Sequence, residues 1–405
     1  MNGGAAVRRL SSIPSPDELV ERAAAMVPEI RASAEQAERE RIVPQHIIDR
    51  VREAELLRTC RPAEFGGFEY DGETALRIAL TISAADASTG WAVNNAVSNG
   101  RSMAHFPIET QREIWGGGQD PFACACFAPT GTAVPAAGGF VLSGRWSFAS
   151  GIDRSSWVKL GAFIDEGKPG PREGAFFLLP IEDVEVIDTW FVNGLAATGS
   201  KDVAVQEKFV PARRVLMFSD ARAGTTPGAR HHTNPNYRMP LLIHGASMLA
   251  STAVGAAKGA VDDFLDMVIG GRKTRGALAG GQLAMAEFAT VQLRYADAAA
   301  QVEAAERILL GDMREMTQKL YDGQEITVAD RIRCRRNQAF VTKLAVQALE
   351  TLNAATGGAG LQLSNPIQRA WRDANAVARH VSLNWDAVGT MYGQHSFGLE
   401  PRGQY

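Results

Sequence analysis

The sequence predicts an α+β fold in three consecutive parts: an N-terminal helical domain over 1–120, a central antiparallel β-barrel or sandwich over 121–238, and a C-terminal four-helix bundle over 239–405. Three observations carry this. Apolar residues recur at helical spacing before Gly116 and again after Pro240, whereas the stretch after Pro121 breaks into short β-branched or aromatic runs between Gly and Pro turns. The chain, at 405 residues, also exceeds the roughly 250–300 at which one core stops growing, so several packed units are expected.

Hydrophobic content of 45%, charged content of 21% and a net charge of −3 are those of a soluble globular protein without the basic bias that nucleic acid demands. No apolar run approaches the roughly 20 residues that span a bilayer. MNGGAAVRRL lacks an apolar segment after its arginines, so no signal peptide is read and a cytoplasmic location is expected. The four cysteines, Cys60, Cys124, Cys126 and Cys334, lack metal-ligand spacing and are read as buried free thiols.

Residues before Ser15 read as disordered. Ser15-Pro-Asp-Glu18 is a helix start with an N-cap, Pro at N1 and Glu at N3, and the helix is expected to run to about Arg39. Pro44 starts a second helix through Ile47, Ile48 and Val51 that ends near Arg58, and Glu64–Phe68 is a turn. From Gly72 to Gly116 the pattern is helical again. Trp91, Asn95 and Asn99 are spaced by four and share one helix face, which lines either a pocket or a solvated or interhelical seam.

The central part centres on GGFVLSGRWSFASGIDRSSW, Gly138–Trp157, read as a strand, a turn at Gly144 and a second strand. At period two, Trp146, Phe148 and Ser150 fall on one face, which fits either a flat conjugated cofactor or an ordinary core. A turn is expected at Lys168–Pro171 and a loop at Gly194–Gly199. Ala221–Tyr237, rich in Gly, Pro, Thr and His, reads as a flexible connection or lid. Its His231-His232 pair is not read as a metal site, because adjacent side chains point apart and no carboxylate cluster adjoins them in sequence.

Helices are expected at about 240–269, 282–320, 327–356 and 365–392, the third opening on a Thr327–Asp330 capping box and the fourth on Asn365-Pro366. Ala253, Ala256 and Ala260 make a close seam, while Leu344, Val346 and Leu349 suggest oligomer contacts. The Gly357–Gly360 loop feeds the last helix, where backbone N–H groups suit a phosphate or a flavin edge. Arg275, in a basic stretch between two bundle helices, is either a phosphate partner or a solvated loop residue. His380, placed in the middle of the last helix, is either a core histidine or an acid–base group titrating near pH 6.5.

GGFVLSGRWSFASG resembles the segment of the acyl-CoA dehydrogenase fold that lies against the flavin ring. Its W-S-F-A-S-G part resembles the version in the flavin-dependent monooxygenases of that fold, the oxygenase components of two-component aromatic hydroxylases similar to 4-hydroxyphenylacetate 3-hydroxylase. Glu64–Gly67 and Ala196–Ser200 resemble two turns of the family, the second without its usual Arg, and the tail G-G-x-G … P-x-Q-R-x-W-R-D … H … W-D matches the hydroxylases closely. The resemblance implies an α–β–α homotetramer that takes reduced FMN or FAD (FMNH2 or FADH2) from a separate flavin reductase and, with O2, hydroxylates a small aromatic substrate through a C4a-hydroperoxyflavin. No dinucleotide-binding G-x-G-x-x-G after a strand is present for NAD(P).

On this resemblance His380 and Ser150 are the catalytic candidates, and Trp91, Phe148, Ala149, Ser150, Arg275, Gly357 and Gly358 line the flavin. Asn95, Asn99 and Trp146 face the substrate, with Asn99 at a position where the related hydroxylases carry a His that contacts a phenol oxygen. No metal is implied. Two other readings stand beside it: an acyl-CoA dehydrogenase-type flavoprotein, for which the tail lacks a Glu base, and a non-catalytic oligomeric binding protein.

Overall fold

The computed structural model describes residues 13–167, 170, 172–275 and 282–405. The disorder expected before Ser15 and the turn expected at 168–171 fall largely outside these residues.

The N-terminal part holds α1 (Pro16–Ala25), α2 (Val27–Glu40), α3 (Gln45–Glu53), α4 (Gly72–Ala85), α5 (Ala87–Met103) and α6 (Ile108–Trp115). The capping box at Ser15 forms as its sequence dictates, with Glu18 N–H on Ser15 Oγ and Glu18 returning to Ser15 N–H. The single helix expected up to Arg39 breaks at Met26, because Pro28 in the first turn of α2 has no N–H to continue the ladder. Likewise α3 stops at Glu53, and a separate 3-10 turn covers Leu56–Arg58.

The central layer comprises β1 (Ala123–Ala136), β2 (Gly139–Ala149), β3 (Trp157–Ile164), β4 (Gly174–Pro180), β5 (Glu185–Ile187), β6 (Lys201–Pro211) and β7 (Val215–Met217), in the order β5-β6-β2-β1-β3-β4-β7. It is a mixed sheet and not the antiparallel one expected, since β1 and β3 run parallel. Gly144 makes no turn. Strand β2 continues through it with a register shift against β6 between Leu142 and Gly144. A Cβ on Gly144 would lie 2.9 Å from the Trp146 ring and one on Gly131 only 2.1 Å from it, so both glycines make room for that indole.

After the sheet come α7 (Phe218–Ala223) and α8 (Pro227–His231), then α9 (Leu241–Ile269), a β8–β9 hairpin (Lys273–Arg275 and Gln282–Ala284), α10 (Ala289–Tyr321), α11 (Val328–Ala355), α12 (Pro366–Val377) and α13 (Trp385–Ser396). The Ala221–Tyr237 segment is packed and is no loose lid: Thr226, Ala229, His232, Asn236 and Tyr237 are buried. It also brings His231 to 2.8 Å from Glu64, so the histidine pair does have a carboxylate beside it.

The second bundle helix starts at Ala289 and not near 282, and the last expected helix is two, α12 and α13. Helix α9 approaches α4 most closely through glycine, because a Cβ on Gly259 would lie 2.0 Å from Ala84 O. Leu349 is fully buried, and Leu344 and Val346 are partly buried against the same core. This core runs unbroken from the N-terminal helices into the bundle, and a separate core fills the sheet.

Candidate active site

Helix α5 faces the sheet with Trp91, Asn95, Asn99 and Ser102, spaced by four, four and three, so they form one stripe. At its N-terminal end the stripe meets the end of β2. Pairing of β2 with β6 slips between Trp146 and Ala149, and within this bulge Phe148 takes φ of 68°. The bulge cancels the expected period: Trp146 turns into the sheet core, where its Nε1 donates to Gly161 O at 2.6 Å, while Phe148 points out and is 67% exposed. Trp146 is therefore a buried core residue with its polar edge satisfied, not part of an open face. Phe148 presents its ring to solvent and meets Trp190 edge-on at 6.0 Å, and the next residue, Ala149, is fully buried.

Beyond the bulge, Ser150 enters a chain of hydroxyls whose proton directions can be worked out. Thr198 Oγ1 donates to Leu195 O at 2.7 Å, an atom that can only accept. Its one proton is thus engaged, so Ser200 must donate to Thr198 across 2.6 Å, and Ser150 must donate to Ser200 across 2.8 Å. Trp91 Nε1 donates to Ser150 Oγ at 2.9 Å. A hydroxyl has one proton and two lone pairs, so Ser150 keeps one free acceptor position and no free donor.

Asp373 of α12 fixes the far end of this chain, accepting Leu195 N–H at 2.6 Å and the Ser88 hydroxyl at 3.3 Å. Burial, and the charge of Asp86 nearby, hold its carboxyl up at about 7.

His380 packs against the other side of Trp91, ring centroids 5.7 Å apart at 61°. It is not in the middle of a helix: α12 ends at Val377 and His380 lies in the turn before α13. That turn is held by Arg335 of α11, which donates to Ser382 O at 2.8 Å. Ser382 N–H donates to His380 Nδ1 at 3.1 Å, so the neutral ring carries its proton on Nε2. Burial, with the Arg335 charge adding to it, pushes the imidazole down to about 4. It therefore does not titrate near pH 6.5 as expected, and at working pH it is a neutral ring with an N–H to give.

Farther along α5, Asn95 Nδ2 donates back to Trp91 O at 2.8 Å, and Asn99 Nδ2 donates to Ala123 O at 3.2 Å. Beyond them the buried Lys159 ammonium donates to Ser102 Oγ and lies 4.7 Å from the Phe127 ring centroid and 5.0 Å from that of Phe176. Burial lowers its pKa to about 7.

The glycine loop lies in the turn before α12. Gly357 and Gly358 are exposed in a 3-10 turn, and the Asn365 side chain accepts the Ile367 and Gln368 N–H groups, so the start of α12 is already capped. The Arg275 side chain lies outside what is described. The structure thus joins Trp91, Ser150 and His380 and leaves Phe148 largely exposed, while Thr198, Ser200 and Asp373 were not singled out by sequence reasoning as site residues. The first two lie within the Ala196–Ser200 turn, which carried the signal without its meaning.

Family models described as "Acyl-CoA dehydrogenase, N-terminal domain" and "Acyl-CoA dehydrogenase, C-terminal domain" match residues 17–117 and 247–385. The FADH(2)-dependent resorcinol hydroxylase oxygenase component of Rhizobium sp. (strain MTP-10005) is 45% identical over 392 residues, covering 96% of this chain and 96% of that protein. The chain belongs to the oxygenase components of the flavin-dependent monooxygenases. As a flavin-dependent monooxygenase it is an oxidoreductase of the acyl-CoA dehydrogenase fold. Among solved structures, the 3-HSA hydroxylase from Rhodococcus sp. RHA1 superposes with a TM-score of 0.89 at 31% identity, covering 95% of this chain and 98% of that one. XiaF from Streptomyces sp., in complex with FADH2 and glycerol, gives 0.87 at 29% identity, covering 96% and 97%.

Proposed function

We propose that this monooxygenase takes reduced flavin, FADH2 in preference to FMNH2, from a separate reductase and hydroxylates a small phenolic ring of the resorcinol type. The observation that carries the reading is the free acceptor on Ser150, beside Trp91 and a neutral His380. Reduced flavin carries a hydrogen on N5 that such an acceptor can hold, so the residues present fit the group. When bound, it supplies the two electrons that split O2, one oxygen entering the substrate and the other leaving as water.

In this reading Ser150 would accept that N–H, and Trp91 and Phe148 would offer rings to pack on the flavin. His380, with its proton on Nε2, would supply an N–H to oxygen without first having to be protonated. Asn95 and Asn99 present amides to the substrate in place of a basic residue. The preference for a resorcinol-type phenol, and for FAD, rests on the 45% identical relative. The protein is read as a cytoplasmic homotetramer; among the described residues no helix is long and apolar enough to cross a membrane.

The test is anaerobic mixing of the protein with FADH2 or FMNH2, then oxygen and resorcinol, followed by product analysis. Hydroxylated product from reduced flavin, and none from NAD(P)H plus oxidised flavin without a reductase, is the expected result. Turnover with NAD(P)H alone would refute the two-component reading, and peroxide without any hydroxylated phenol would refute the substrate class.

A further inference from the structure

Away from the Trp91–Ser150–His380 group, the turn containing Glu64 meets α8 through two adjacent histidines. One donor atom from each of Glu64, His231 and His232 lies within 4.8 Å of the others. His231 Nε2 is already 2.8 Å from Glu64 Oε2, and both side chains are 43% exposed, open to an ion from solution. Two imidazoles and a carboxylate are the ligand set of zinc-class ions rather than of calcium or magnesium.

A surface His–Glu contact alone would be a plain ion pair. The second observation lies behind His232, which is buried. Gln111 Nε2 donates to Ala104 O at 2.9 Å and to Phe106 O at 2.8 Å, which fixes the orientation of that amide. Its Oε1 therefore accepts from His232 Nε2 at 2.9 Å. The ring's proton is thereby held on Nε2 and its lone pair on Nδ1. A carbonyl behind one ring nitrogen is the outer partner that metal-binding imidazoles use to fix tautomer and orientation. Tyr237 packs on the same ring at 4.8 Å, and His231 stands edge-on to it at 5.0 Å.

We propose that Glu64, His231 Nε2 and His232 Nδ1 bind one divalent ion of the zinc class, with water completing the shell. The two exposed ligands move the short distance needed to close on the ion, and the pinned His232 is the fixed point. The ion ties α8, between sheet and bundle, to the N-terminal turn. Its role is structural, and none of its ligands belongs to the flavin site.

Full-length protein stripped with EDTA and titrated calorimetrically with ZnCl2 should take up one ion per chain with micromolar or tighter affinity, with a raised melting temperature. Co2+ in the same site should give the intense visible bands of a low-symmetry, near-tetrahedral ion. His231→Gln and Glu64→Gln, at exposed positions that leave the core untouched, should each weaken Zn2+ at least tenfold. His232→Ala should abolish binding, and if it does not fold, the two exposed variants still decide. Binding only at millimolar Zn2+, or unchanged affinity in either exposed variant, would mark an ion pair with adventitious metal capture and overturn the proposal.

Discussion

Replacing Ser200 by alanine should erode the preference for reduced over oxidised flavin while leaving the fold intact. In the native chain of hydroxyls Ser150 gives its proton to Ser200 and receives one from Trp91, so what it offers a ligand is a lone pair. In the proposed reading, reduced flavin would meet that lone pair with N5–H. Oxidised flavin meets it with another lone pair, and no hydrogen bond forms. Ser200→Ala removes the acceptor for the Ser150 proton, which is then free to turn toward the ligand. One neutral hydrogen bond nets about 0.5–1.5 kcal/mol, so oxidised flavin should bind roughly 2- to 13-fold tighter. Reduced flavin gains nothing, because the acceptor it uses was already there, so the ratio of the two affinities falls by at least that factor.

The fold should tolerate the change, since Thr198 loses only an incoming bond and keeps its own proton on Leu195 O. Thr198→Val acts in the same direction by a different route: Ser200 loses its acceptor, can donate to Ser150 instead, and so turns the Ser150 proton outward. Fluorescence titration of oxidised flavin and anaerobic ultrafiltration of reduced flavin, on wild type and both variants, measure the ratio. An unchanged ratio in both variants would refute the directional chain, and with it the argument that Ser150 is left as an acceptor.

Ser150→Ala should change reduced-flavin affinity by no more than about tenfold while peroxide release rises relative to hydroxylated product; an unchanged coupling ratio removes Ser150 from the chemistry. His380→Ala should lower product per bound flavin in a single turnover by roughly 10²–10⁴, against a stability loss of only about 1–3 kcal/mol from the lost ring contact and hydrogen bond; near-normal yield with a lowered melting temperature would make the ring structural. With its folded pKa down at about 4 from an ordinary 6.5, His380 contributes stability that is whole above pH 6.5 and is lost as pH falls toward 4, by about 3 kcal/mol at most, and the alanine variant should lose that slope in denaturation measured across the range. Lys159, held at about 7 against an ordinary 10.5, makes stability climb as pH rises from 7 to 10.5; Lys159→Met should flatten the climb and raise neutral-pH stability by about 1–3 kcal/mol, and a less stable variant would show that the Ser102 and aromatic contacts outweigh the desolvation.

What could be read from the sequence was what local chemistry decides. The capping boxes at Ser15 and Thr327 and the Asn365 cap all form, because each needs only residues within a turn of one another. Apart from the break at Met26, which Pro28 sets locally, the following errors share one cause: a partner outside the local run. Gly144 in an alternating run serves equally as a turn or a bulge, and here the Trp146 ring packs against both it and Gly131 where the strand pairing shifts. Period two placed Trp146 and Phe148 on one face, but the slip against β6 sends them apart, and no local pattern announces that slip. The break after α12 carries no Pro or Gly; Arg335, reaching across from α11, holds the turn that follows it.

The same distinction separates the identity of the site from its protonation. Ser150 and His380, 230 positions apart in sequence, were paired by motif, and the structure adds Trp91 between them, bonded to one and packed against the other. Motif could not say what either group does with its proton. For His380 the ordinary pKa suggested a shuttle, yet burial and Arg335 make a ring that stays neutral through the working range, with an N–H to give in the role proposed for it. For Ser150 the direction of donation follows from Leu195 O, three hydrogen bonds away, and Leu195 is in turn held by Asp373 of α12. The R-D-x6-H stretch therefore supports the site at both ends, Asp373 anchoring the hydroxyl chain and His380 closing on Trp91. That link brings these two residues, seven apart across a helix end, to the one site proposed here.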